Sequence, residues 1–185
     1  MRAEVRRQFI HFLFGSLIIS LVAVGGTRES LLLISIAFLA GLVLSYSIRR
    51  GVKVPLVCNV VDCVQRHYEK EIPGKGALFF FLGAIITMVL FWQQRIVLGA
   101  LCVAVYGDAA STVFGVRFGK HKLVGKKSFE GTLAGILIAG FFLSFLFQFH
   151  IAFLAALIGM LAELLPFDDN FTIPIAVGLV LSILL

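Results

Sequence analysis

Charge is scarce in this chain, and so are the residue pairs that build most familiar sites. Only 14% of its 185 residues are Asp, Glu, Lys or Arg, and these gather between apolar runs. An ordinary soluble domain carries about 25%, so that class is excluded. The three cysteines, Cys58, Cys63 and Cys102, form no CxxC pair and have no histidine at zinc-ligand spacing. They read as small apolar filler rather than a metal or disulfide framework. The four histidines are scattered, which argues against a zinc site. No P-loop is present: GVRFGKH is one residue short, and Lys120 precedes His121 where a hydroxyl residue belongs. GxGxxG, GxSxG and HExxH are also missing, as are low-complexity segments and clear internal repeats.

What is present is hydrocarbon. Hydrophobic residues make up 60% and the mean hydropathy is +1.05, against roughly 45–50% apolar residues in soluble domains. A membrane span needs about 20 mainly apolar residues. Seven runs approach that length, at 9–25, 30–48, 76–92, 96–116, 130–148, 151–165 and 171–185, the last two being short. The reading is an all-α, polytopic membrane protein of about seven transmembrane helices in a single domain, 1–185. The opening MRAEVRRQFIHFLFGS has the basic-then-apolar look of a signal peptide. Without a clear small-residue cleavage site it is read as a retained first span.

The net charge of +6 has no soluble domain to present it, so nucleic acid is not an expected partner. Basic residues in such a chain set orientation and attract anionic headgroups or phosphates. With the N-terminus in the cytoplasm and seven crossings, 14 of the 16 Lys and Arg fall on the inner side. Arg28 and Arg95 alone fall outside, and the C-terminus ends on the outer side. The inner loop after Pro55 repeats Leu56, Val57, Val60, Val61, Val64 and Tyr68 at helical spacing. That pattern predicts a cytoplasmic amphipathic helix lying on the surface or packed on the bundle.

The same alternation places the polar residues. Asp108, Glu130, Glu163 and Asp169 mark the inner ends of four successive runs. An unpaired carboxylate in a membrane costs several kcal/mol, and four close together cannot all ionise without cations. Structural ion pairs between helices are one solution. The other is a divalent cation such as Mg²⁺, which takes one or two carboxylates and leaves positions for substrate phosphates. Asp108, Ser111 and Thr112 share a helix face. Gly115 and Gly119 then bracket a basic turn, where bare backbone can approach a ligand closely. Lys126 and Lys127 precede Ser128, an N-cap for a helix beginning FEGT, and lysines beside a helix N-terminus form an anion site. The plainer reading is that Ser128 only caps and the lysines only anchor. Arg7, His11 and Gly15 lie on one face at the inner end of the first run.

Together GDAAS, the spaced Gly115 and Gly119-Lys120, and KKSFEGT resemble the signature of CTP-dependent polyprenol kinases, the group of dolichol, phytol and farnesol kinases and the CTP-dependent diacylglycerol kinase. Arg7 with His11 and Gly15 resembles that family's N-terminal motif, and Glu163 with Asp169-Asn170 and Pro174 its C-terminal one. The family is related to phosphatidate cytidylyltransferases, whose own C-terminal signature is missing here. The resemblance implies transfer of the CTP γ-phosphate to a membrane-embedded lipid alcohol at the cytoplasmic face, with Mg²⁺ as cofactor. On this expectation Asp108, Asp169 and Glu163 hold metal, with Glu130 as a further ligand or support. Lys120, Lys126, Lys127, Ser128, Gly131 and Thr132 meet phosphate, while Ser111 and Asn170 bond phosphate or ribose. Arg7 and His11 are accessory. The alternatives are a CTP-dependent cytidylyltransferase making a CDP-lipid, and a non-enzymatic transporter or binder of anionic lipids.

Overall fold

The computed structural model describes residues 2–51, 73–125 and 127–185. The amphipathic segment expected after Pro55 and the side chain of Lys126 lie outside the described residues. Seven α-helices account for most of the rest: α1 (Arg2–Arg49), α2 (Lys75–Phe91), α3 (Gln94–Cys102), α4 (Asp108–Phe118), α5 (Phe129–Leu143), α6 (Phe149–Ala162) and α7 (Asp169–Leu184). A single π-helical turn, Val103–Gly107, joins α3 to α4. No strand occurs among the described residues beyond an isolated bridge, Lys122 to Ser128.

The helix α1 is two helices in one. Gly26 sits at φ 77°, ψ 172°, a conformation open to glycine and strained for residues with a Cβ. The part before it runs antiparallel to 94–118: Gln8 meets Asp108, Gly15 faces Val105, and the Gln94 amide donates to the Val22 and Ala23 carbonyls at 2.8 and 3.0 Å. The part after it runs antiparallel to α2, with Gly41 against Leu78 and Ser45 donating to the Pro73 carbonyl. The chain therefore doubles back at Gly26, and the runs at 9–25 and 30–48 lie on either side of it. The remaining five runs coincide with α2, with the continuous stretch 94–118, and with α5, α6 and α7.

Two core clusters share this frame. One gathers Ala139, Ala152, Ala156, Met160, Ile173 and Val177 around Val103. The other sets Ile18, Val22 and Ile34 of α1 against Phe80, Met88, Leu101 and Val105. The stretch Gln94–Phe118 is the central post. It and Glu4–Arg49 are long and apolar enough to cross a membrane, while the other four apolar helices have 10–17 residues. Large apolar side chains cover the outside, among them Phe9, Leu17, Ile36, Val43, Phe145 and Ile183, all more than half exposed. Water-soluble monomers rarely leave such continuous apolar surface bare; a bilayer accepts it.

Inside α7, Pro174 has no N–H for the Asn170 carbonyl four residues earlier. That carbonyl lies against α2 at Gly83, where a Cβ would come within 2.0 Å of the oxygen. Glycine at 83 thus lets the first turn of α7 seat directly on α2.

Candidate functional site

One end of the bundle collects the charge. Asp108 opens α4 immediately after the π-turn, a local widening common at functional positions. Three residues on, the Ser111 hydroxyl donates to Glu163 Oε1 at 2.9 Å. Glu163 caps the C-terminus of α6 and its side chain is fully buried. Asp169 opens α7. One oxygen from each of Asp108, Glu163 and Asp169 lies within 4.8 Å of the others. At an effective dielectric of about 20, each pair of negative charges at that separation repels by roughly 3 kcal/mol.

Lys127 answers part of that repulsion. Its Nζ donates to Asp169 Oδ2 at 2.8 Å and to Glu163 Oε1, and lies 3.8 Å from Asp108 Oδ1. Backbone geometry aims it there. Residues on either side of position 126 pair with one another: Leu123 N–H donates to the Lys127 carbonyl, Lys127 N–H to Val124, and Phe129 N–H to His121. Gly125 at φ 55° makes the turn. Burial alone would push the Lys127 ammonium down, but Asp108, Glu163 and Asp169 outweigh it and hold the group above the ordinary lysine range. One lysine among three carboxylates leaves a deficit of positive charge. Glu163 Oε2 is also buried with no hydrogen-bond partner among the described residues. Oxygen-only donors, clustered and under-neutralised, fit a hard divalent cation such as Mg²⁺.

The remaining predicted residues divide. Glu130 turns away from the trio and clasps the basic turn, accepting from the Lys120 and His121 backbone N–H groups at 3.1 and 3.2 Å and pairing with His121 Nδ1 at 2.7 Å. The Lys120 side chain is exposed. Ser128 caps α5 by accepting from Gly131 N–H at 3.2 Å. Phe129 N–H goes to His121 and Thr132 N–H to Ser128, so the first-turn donors of α5 are largely engaged within the protein. Gly115, Gly119 and Gly131 let α4 and α5 touch. A Cβ on Gly131 would stand 2.5 Å from the Ser111 carbonyl oxygen, and one on Gly119 would stand 2.6 Å from Ser128 Oγ. The room at these glycines is filled by protein backbone and Ser128. Thr132 Oγ1 is buried without a partner among the described residues. Asn170 bonds Asp168 Oδ1 through Nδ2 at 2.8 Å. His11 packs edge-on against Phe80, with Nε2 3.5 Å from the Ala104 carbonyl in the π-turn. Arg7 donates to Glu4 at 2.8 Å.

Gln8 was not predicted. It is 1% exposed, and its amide donates to Asp108 Oδ2 at 3.2 Å, leaving Oε1 buried without a partner among the described residues. The available signal was its place on the same helical stripe as His11 and Gly15.

No protein-family model matches this chain, and no solved structure does. Two curated proteins are similar. One is an uncharacterized protein of Methanocaldococcus jannaschii, 29% identical over 188 residues, covering 97% of this chain and 93% of that protein. The other is a protein named as probable phytol kinase 1, chloroplastic, of Oryza sativa subsp. japonica. It is 27% identical over 156 residues, which cover 72% of this chain and 48% of that protein. The chain thus has a distant relative among phytol kinases. It matches about half of that relative's length.

Proposed function

We propose that this protein is a lipid-alcohol kinase that transfers the γ-phosphate of CTP to the hydroxyl of a polyprenol held in the bilayer. The observation that carries the reading is the clustered trio Asp108, Glu163 and Asp169, of which Glu163 is buried, gripped by Lys127 at one end of an apolar bundle. The kinship to a phytol kinase supports the reaction class, and the motif resemblance supplies the nucleotide. The charge count supports seven crossings with the N-terminus and the site on the cytoplasmic side, since Arg7, Gln8 and the 119–128 turn share the end where the trio lies.

Phosphoryl transfer asks a protein for positioning and charge neutralisation. The alcohol oxygen forms a bond to the γ-phosphorus, the bond from that phosphorus to the β–γ bridging oxygen breaks, and CDP leaves. The hydroxyl proton goes to Asp108. That carboxylate is the least committed of the three to Lys127, at 3.8 Å, and Gln8 fixes its other oxygen. Lys127 and the basic turn around Lys120 receive the phosphates. Asp108, Glu163 and Asp169 would hold Mg²⁺, which when bound neutralises the charge of the triphosphate.

Purified protein in nanodiscs, given γ-labelled CTP, ATP, GTP or UTP with a panel of lipid alcohols, tests the reading. Label from CTP in an organic-soluble monophosphate, with CDP released, is the expected result. Release of pyrophosphate would overturn it in favour of a cytidylyltransferase, and no labelled lipid from any nucleotide would overturn the enzyme reading altogether.

A further inference from the structure

An open, almost wholly apolar groove of about 530 Å³ runs along α7 where it meets α2, with Phe79, Phe167, Asp168, Phe171, Ala176 and Leu179 among its lining residues. We propose that this groove holds the hydrocarbon chain of the acceptor alcohol, with the hydroxyl at the Asp168 end; the assignment of that chain to a substrate rests on the kinase reading above.

Three features favour a single long chain as occupant. The first is continuity with the charged site. Asp168 and Thr172 sit in the first turn of α7, whose first residue, Asp169, accepts from Lys127 Nζ at 2.8 Å. A hydroxyl placed at Asp168 therefore lies one residue along the chain from Asp169. The second is length. From Asp168 to Leu179 is eleven residues along one helix, about 16 Å at ~1.5 Å rise, and the lining is apolar along nearly all of it. The third is volume. The groove's volume of about 530 Å³ gives room for an extended hydrocarbon chain. Its walls are built. Phe79 of α2 packs edge-on to Phe171 of α7 at 5.3 Å between ring centres, and Gly83 lets the two helices close on one another at Asn170.

A lipid-soluble chain gains little by moving from bilayer to an equally apolar groove. The groove's contribution is orientation: fixing the tail holds the hydroxyl near Asp108 and Asp169, and correct placement of reacting groups is worth large factors in rate.

The experiment uses the full chain in nanodiscs and a C20 isoprenoid alcohol carrying a diazirine in its tail, without nucleotide. Photolysis should label 75–91 and 165–184. The variant Ala176→Trp, which fills the groove, should cut that labelling at least fivefold. Leu179→Trp, at a half-exposed position, should move the label towards 165–172. With CTP present, both variants should lower the ratio of C20 to C5 alcohol turnover about tenfold. Label on other helices, or equal labelling of the groove by a diazirine phosphatidylcholine, would overturn the proposal. Groove labelling by the alcohol with no phosphate transfer would support the groove and sink the kinase reading instead. Transfer with label elsewhere would do the reverse.

Discussion

Replacing Lys127 by methionine keeps most of the side-chain volume and removes the cation that three carboxylates share. Each contact of a unit charge at about 4 Å is worth ~4 kcal/mol at an effective dielectric of about 20, and Lys127 makes three such contacts, to Asp169, Glu163 and Asp108. Desolvation offsets much of this, yet breaking a buried pair by removing one partner still costs about 3–5 kcal/mol. The expected outcome in EDTA is a loss of that order in thermal stability, read as the temperature at which the detergent-solubilised protein loses its monodisperse chromatographic peak. Lysine and a divalent cation also compete for the same oxygens. The variant should therefore bind Mn²⁺ at least tenfold more tightly than the wild type in the absence of nucleotide, a change of ~1.4 kcal/mol, measured by the free-ion spin-resonance signal. Added Mn²⁺ should restore much of the lost stability. A K127M protein as stable as the wild type in EDTA and indifferent to Mn²⁺ would refute the reasoning, because the trio would then carry no charge in need of an answer.

Three further outcomes follow from the same geometry. Asp108→Asn should lower transfer by 10²-fold or more, as expected for loss of a general base, while the protein still folds and inserts; turnover near the wild-type rate would remove Asp108 from the chemistry. Gly131→Ala drives a Cβ to 2.5 Å from the Ser111 carbonyl oxygen, and overpacking of this kind costs about 1–3 kcal/mol. Unchanged stability in that variant would show that α4 and α5 can separate freely. The folded-state value of Lys127 is raised, so its stabilisation is complete below the ordinary lysine value of about 10.4 and is lost as pH climbs through the higher folded value. The stability gap between wild type and K127M should accordingly stay level from about pH 9 to 10 and close only above that; closure at lower pH would contradict the shift.

How far the site was legible depended on the kind of signal each residue carries. Asp108, Glu163, Asp169 and Lys127 stood out because charge within or beside apolar runs is expensive, and expense is visible in one dimension. Gln8 did not stand out. It is neutral, lies beside Arg6 and Arg7, and meets Asp108 only across a hundred residues of chain. Glu130 looked equivalent to the other three acids on a count of helix ends. The structure turns it to the His121 backbone instead, since a carboxylate in the first turn of α5 can reach the free amides of the turn before it.

The sequence by itself determined that the chain is helical, apolar outside and charged at one set of run ends, because hydropathy and periodicity are local properties read a few residues at a time. It also marked Ser128 as a cap and separated the runs at 9–25 and 30–48. Only the tertiary structure decided which charged ends converge, that one lysine spans all three carboxylates, and that the glycines of α4 and α5 serve close packing rather than open backbone. Those outcomes depend on how helices far apart in the chain cross and turn about their axes. A rotation of one residue, about 100° on a helix, would send Asp108 or Glu163 to a different neighbour.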